Sequence, residues 1–167
     1  YKGLVSYQDS LNTEISKITE RINEIGDRIQ YLNGQISMIE SGVETAMTLR
    51  DERDNLLDEL SSYVKIDYSE DANNVVTVMV EGSFFCDNLS VSHLGLNKLE
   101  GTDFYIPVWK EMQDHPLYNM ELTMSTSKNT DIGSLKGLLA ARGTISPTYA
   151  NMTQPDKIVT DKPDRAD

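Results

Sequence analysis

Cysteine and histidine are scarce in this sequence, which has one cysteine, Cys86, and two histidines, His93 and His115. A single cysteine cannot form an intramolecular disulfide, so packing and hydrogen bonds must hold the fold. Metal sites need several His, Cys or carboxylate ligands close together, and the two histidines lie in different segments. We therefore expect no metal site. We expect Cys86, which follows two phenylalanines, to be a small buried apolar residue.

Basic residues are also few: 15 lysines and arginines stand against 27 acidic residues, a formal net charge of -12. Binding to nucleic acid or to an anionic membrane surface requires a basic face, so we predict neither. No apolar run approaches the ~20 residues that cross a bilayer. Sequence motifs for nucleophilic serine, phosphate loops and dinucleotides are absent as well. We therefore predict a protein without catalysis or cofactors.

A long apolar pattern near the start is the main feature that the sequence does have. Apolar residues follow one another at steps of four and three, as on one stripe of a helix. A helix of this length cannot bury its own stripe and needs a partner. The apolar stripe consists of Leu11, Ile15, Ile18, Ile22, Ile25, Ile29, Leu32, Ile36, Ile39 and Val43.

The predicted bounds of this first helix come from capping signals. Ser6 followed three residues later by Asp9 has the form of a capping box, so we place the start there. Gly34 follows an asparagine, a pair typical of turns. The stripe passes through it in phase, which favours one helix with at most a slight kink. We place the end at residues 41–42, where Gly42 can adopt the left-handed conformation.

A second, shorter helix is predicted after residues 43–45, and the short link favours an antiparallel helix hairpin. Arg53 falls on its apolar face, so we expect its stem to pack in the hairpin and its head to pair with a carboxylate. Because this helix is the shorter one, we expect part of the stripe to be bare within this chain. Missing segments or a neighbouring subunit would cover that part, which comprises Leu11, Ile15, Ile18 and Ile22.

The period then changes to that of strands. Residues 64–68 and 75–80 alternate or are β-branched around a polar turn, which predicts a β-hairpin. The acidic turn residues Asp67, Glu70 and Asp71 could hold a weak surface cation, but a hairpin turn is the preferred interpretation. Further strands are predicted at 89–96, 104–109 and 117–125, with their own small core. Pro107 suggests an edge position for the strand at 104–109.

The sequence therefore predicts an α+β protein with four regions. Residues 1–64 form a helical rod, and residues 65–131 form a small antiparallel β-rich domain. Residues 132–143 form a short helix that ends at Gly143. Residues 144–167 lack an apolar period, and we expect a flexible tail.

Three stretches carry a family pattern in the same order. The first contributes Leu32, Asn33, Gln35 and Ile36, and the second contributes Asp51, Arg53, Asp54, Leu56, Leu57 and Leu60. The third contributes Gly133, Leu135, Gly137, Leu138, Leu139 and Arg142. With a β-rich insert between the second and third, residues 10–143 resemble the family of bacterial flagellar hook-associated protein 1. Gly34, residues 47–48 and Cys86 depart from the family pattern.

The resemblance implies a structural subunit of the extracellular flagellum, exported unfolded and placed between hook and filament. It also implies that the helix at 132–143 returns along the rod. The implied partners are the hook protein, the second junction protein and further copies of the chain itself. The family's terminal helical segments are not present here, so we expect a fragment that is monomeric alone. Two alternatives remain open. One is another rod-like flagellar subunit, such as the second junction protein, and the other is a coiled-coil stalk carrying an adhesive or ligand-binding β module.

Overall fold

The computed structural model describes residues 2–118 and 133–143. The predicted tail at 144–167 lies outside these residues, as does most of the strand predicted at 117–125. The described part contains three helices and six strands, so the α+β class is confirmed. The helices are α1 (Lys2–Glu40), α2 (Met47–Tyr63) and α3 (Ser134–Arg142).

Helix α1 begins earlier than its capping signal predicted. Ser6 lies inside the helix, because the preceding residues from Lys2 onward are already helical. The first turns are tied to α3, where the Gln8 side-chain amide donates to the carbonyl oxygen of Arg142 at 2.8 Å. The end at Glu40 agrees with the prediction, but Gly42 does not adopt the left-handed conformation. Gly143 has a positive φ of 81° with ψ of -178°, and it ends α3 as predicted.

The strands form two antiparallel sheets of three strands each. Sheet A contains β1 (Ile66–Glu70), β2 (Val76–Val80) and β3 (Ser83–Cys86) in that order. Sheet B contains β4 (Leu94–Lys98), β5 (Tyr105–Trp109) and β6 (His115–Pro116) in that order. The predicted hairpin is confirmed as β1 and β2, and a short 3-10 helix at Lys110–Met112 follows β5.

Two predictions in the β-rich part are wrong. The strand expected at 89–96 begins only at Leu94, and Leu89 is 80% exposed in the loop before it. Pro107 lies on β5, the central strand of sheet B, not at an edge. The proline is tolerated because β6 is short and the Leu117 amide donates to the Pro107 carbonyl oxygen at 3.0 Å. That bond needs no N–H from the proline.

One buried cluster joins the helices and both sheets, so the described part of the β-rich region, up to residue 118, shares its core with the helices instead of having the separate core that was predicted. The apolar stripe is also not bare where expected. Ile15 and Ile22 are fully buried and Ile18 is 7% exposed, while Leu11 is partly buried. The prediction was wrong because both sheets and α3 fold back along α1. The cluster includes Ile25, Leu57, Val78, Phe85, Trp109 and Leu135.

Gly26 allows sheet A to approach α1 closely. A Cβ atom at this position would lie 2.6 Å from Phe85 Cζ and 3.0 Å from a methyl carbon of Val91. The Phe85 ring is fully buried, and it also packs against Trp109 with ring centroids 6.2 Å apart. The glycine therefore provides the space in which the β3 side chain rests on the helix.

Candidate functional site

Three asparagines of α1 hold the strands by their side-chain amides. Asn33 accepts from the Val76 amide at 3.1 Å and donates to the Val76 carbonyl at 2.8 Å. Asn23 makes the same two bonds with Leu94 at 2.8 Å each. An asparagine amide offers one acceptor and two donors, so it can pair with a strand residue much as a neighbouring strand does. We call these residues, together with Asn12, the asparagine clamps.

Asn12 holds the start of β5. Its Oδ1 atom accepts from the Tyr105 amide at 3.0 Å, and its Nδ2 atom donates to the Asp103 carbonyl at 3.4 Å. The clamps are eleven and ten residues apart, close to three helical turns. They therefore line one side of α1 and fix strands of both sheets to it.

Arg53 joins the Asn33 clamp to α2 and to the β1–β2 hairpin. Its Nη1 atom donates to Asn33 Oδ1 at 2.9 Å and to the Asn74 carbonyl at 2.8 Å. Its Nη2 atom donates to Glu70 at 3.1 Å. Arg53 is 2% exposed and Asn33 fully buried. The buried charge is thus hydrogen-bonded and paired, as was expected from the place of Arg53 on the apolar face.

Paired side chains also join α1 to α2. Arg21 meets Glu59 at 2.6 and 2.8 Å, and Arg28 donates twice to Glu52 at 2.9 Å. Later residues of α1 thus meet earlier residues of α2, so the two helices run in opposite directions. Ion pairs this close to solvent contribute little to stability, because solvent screens them. Their main effect is to set the register of the two helices.

Glu40 fixes the turn between α1 and α2. Its carboxylate accepts two bonds from Arg50 at 2.6 Å each and a third from the Ala46 amide at 3.1 Å. These hydrogen bonds, above all those from Arg50, lower the pKa of Glu40 to about 2. Arg50 also reaches Glu70 at 2.8 Å, which links the turn to the hairpin.

The ion pair between Glu40 and Arg50 predicts how the stability of the fold changes in acid. Its pKa in the folded chain lies below the usual value of about 4.3, so the stabilisation is complete above that value and is lost as the pH falls toward 2. Glu40→Gln is expected to lower the urea midpoint at neutral pH, and the difference from wild type should shrink as the pH falls toward 2 and vanish below it. Circular dichroism during urea titration measures this. An undiminished difference in acid would contradict it, and Glu44→Gln, in the same exposed turn, is the control.

Arg142, like Arg53, is a buried arginine bonded to an asparagine clamp, and it joins α3 to Asn12 near the start of α1. Its Nη1 atom donates to Asn12 Oδ1 at 2.8 Å and to the Tyr105 carbonyl, and its head stacks on the Phe104 ring at 4.8 Å. It is 1% exposed, and burial lowers its pKa to about 10. At the start of α3, a Cβ atom on Gly133 would collide with the Tyr63 carbonyl oxygen. Helix α3 is therefore fixed at both ends.

Most residues of the family pattern contribute to the packing of the protein. Most are buried, and these are Leu32, Asn33, Ile36, Arg53, Leu57, Leu60, Leu135, Leu139 and Arg142. Partly buried are Gln35, Leu56, Gly133 and Leu138, whereas Asp51, Asp54 and Gly137 are exposed. The pattern missed Asn12 and Asn23. The only signal for them in the sequence is the spacing of the three asparagines beside the apolar stripe.

The remaining candidate residues, those considered as cation ligands and Cys86, have structural surroundings. Asp71 accepts from the amides of Asn73 and Val75, which makes it a turn residue, and Glu70 pairs with arginines. Burial raises the pKa of the Cys86 thiol to about 12. Within residues 2–118 and 133–143, no group of three or more His, Cys, Asp or Glu is arranged to hold a metal ion. No helix in this part of the chain is both long and apolar enough to cross a membrane.

Comparison with known proteins shows what kind of protein carries this arrangement. None of the curated proteins compared with the chain matches it. The protein family described as "flagellar hook-associated protein FlgK helical domain" matches residues 1–158. That match covers nearly the whole chain, including every clamp and every residue of the family pattern. The chain therefore belongs to the family of the helical domain of the flagellar hook-associated protein FlgK.

Proposed function

We propose that the chain is a structural subunit of the first junction between flagellar hook and filament, without catalytic activity. The family membership implies a structural role in the flagellum. The observation that supports the finer proposal is the continuous attachment of both sheets and α3 to α1. Clamps at Asn12, Asn23 and Asn33 distribute the contact over most of the helix. Such a subunit resists being pulled apart along its length, as a joint between two polymers requires.

We further propose how the parts are used in the assembled flagellum. The helix hairpin of residues 1–64 lies as a rod in the tubular wall, and residues 65–131 face outward. The exposure of β1 supports this, since four of its five residues, from Asp67 to Glu70, are exposed. The helix at 132–143 returns to the rod. The proposed partners are the hook protein on one side and the second junction protein on the other, in an extracellular structure.

Deletion of the gene that encodes the chain tests the proposal. We expect cells that keep their hooks, release filament protein into the medium and do not swim. Expression of the wild-type gene should restore filaments. Electron microscopy of the cell surface and immunoblots of the medium measure these outcomes.

Three further results separate the proposal from its alternatives, and the first and third of them would overturn it. Cells that still carry filaments and swim would exclude a junction role and would favour an adhesive stalk. Isolated hooks from the deletion strain that still bind purified first junction protein, but not the second, would assign the chain the first position. Hooks that retain a first junction protein of their own would instead assign the chain the second position.

A further inference from the structure

His93 lies between two carboxylates that come from different elements. Its Nε2 atom is 2.7 Å from Asp27 Oδ1 on α1, and its Nδ1 atom is 3.3 Å from Glu111 Oε1 in the 3-10 helix. The His93 backbone amide also donates to Glu111 Oε2 at 2.8 Å. His93 directly precedes β4, so these bonds connect α1, sheet B and the 3-10 helix at one point.

Both ring nitrogens face acceptors, and only the protonated ring can donate to both. A neutral imidazole carries one N–H, so one of the two carboxylates would face a lone pair. The imidazolium carries two and also pairs in charge with both acids. We propose that His93 is a protonation-dependent clasp that fastens the start of sheet B to helix α1. The geometry assigns Asp27 as the main partner, because its contact is the shorter one.

The surrounding charges favour the protonated form. Asp27 on α1 and Glu111 in the 3-10 helix face the ring, and the hydrogen bond to Asp27 is the main reason that the pKa of His93 is raised. On β3, Cys86 lies near Asp27 but is neutral, because burial keeps the pKa of its thiol at about 12. The side chain of Lys110 lies along Gly95 of β4.

The neighbouring Asn23 clamp limits how much of the structure responds to the protonation state of His93. Asn23 lies one turn before Asp27 on α1 and holds both backbone groups of Leu94, the residue after His93. An amide does not titrate, so this attachment persists at any pH. Loss of the His93 proton therefore weakens the attachment of the loop before β4 and of the 3-10 helix to α1, while the backbone bond from His93 to Glu111 remains and the strand itself stays on α1.

The sign of the pH dependence follows from the raised pKa. The clasp contributes its full stabilisation below the unfolded pKa of about 6.5, and this contribution is lost as the pH rises through the higher folded value. The ring is 37% exposed, so solvent screening keeps the effect small. We expect a change of about threefold in the unfolding equilibrium constant.

Titration by proton NMR tests the assignment of partners. In the His115→Gln background His93 is the only histidine, so its ring signals are unambiguous. We expect a midpoint above about 6.5, and we expect Asp27→Asn to lower it. Glu20→Gln, an exposed change of the same charge on the same helix, should leave it in place. Equal midpoints with and without Asp27 would overturn the proposal.

Unfolding experiments test the energetic consequence. Trp109 is the single tryptophan and is buried in sheet B, so its fluorescence reports on unfolding of that sheet. His93→Gln is expected to raise the unfolding constant about threefold at about pH 6 and not at about pH 9. A difference that is equal at both pH values would reduce His93 to an ordinary hydrogen-bonding residue and overturn the proposal. Both tests are independent of the junction role.

Discussion

Replacing Asn33 with alanine is expected to lower the free energy of unfolding by about 3–5 kcal/mol, because several buried groups each lose a hydrogen-bond partner at a cost of about 1–3 kcal/mol apiece. Three partners lose their bond at once: the amide and the carbonyl of Val76, and the guanidinium of Arg53. Asn33 is fully buried, so water cannot replace the missing amide without disturbing the core. Urea unfolding followed by circular dichroism measures the loss.

Asn55→Ala is the matched control for this prediction. Asn55 is exposed on α2, so its replacement removes the same atoms without disturbing a buried network. Alanine is the better helix former of the two residues by roughly 0.5 kcal/mol, so the control should be neutral or slightly stabilising. The same propensity gain applies to Asn33→Ala and cannot explain a loss there. A loss below about 1 kcal/mol would show that the clamp is not what fixes β2 to α1.

Two glycines of α1 are expected to respond to alanine in opposite directions. Gly26→Ala should lower the free energy of unfolding by about 1–3 kcal/mol, because overpacking forces buried groups apart. The added methyl would meet Phe85 at 2.6 Å. Gly34→Ala should raise the free energy by about 0.5–1 kcal/mol, the normal gain in a helix interior. A Cβ atom there would have nothing within 4 Å.

The comparison of the two variants isolates packing from helix propensity. Both changes have the same intrinsic effect on the helix, so the difference between them measures the contact with sheet A. Thermal or urea unfolding of the two variants beside wild type gives that difference. If both variants were stabilised, the β3 side chain would not rest on α1 as described. Gly26→Ala in a Phe85→Leu background, which shortens the opposing side chain, should recover part of the loss.

The sequence predicted those elements whose signals are local. The apolar stripe determined α1 because a helical period is visible within the segment itself. The alternation around residues 64–80 determined the first hairpin, and Gly143 marked the end of α3 through its positive φ. For these elements, neighbouring residues carry enough information to select the structure.

The sequence could not show what covers α1. The burial of Ile15 and Ile22 depends on sheets and a helix that arrive from distant parts of the chain. The asparagine clamps pair residues 43 to 93 positions apart, and a single asparagine on a helix gives no sign of such a partner. The family resemblance identified Asn33, Arg53 and Arg142 as pattern residues. Their role as buried polar connections follows only from the contacts.

The Asn23 clamp has a consequence for how copies of such a chain can meet. Strand β4 is an outer strand of sheet B, and the free edge of an outer strand normally invites strand addition from another chain. Here the first residue of β4 already has its outward amide and carbonyl occupied by a helix side chain. The edge is closed at that point without a further strand. Strand addition from another copy is therefore blocked at this residue.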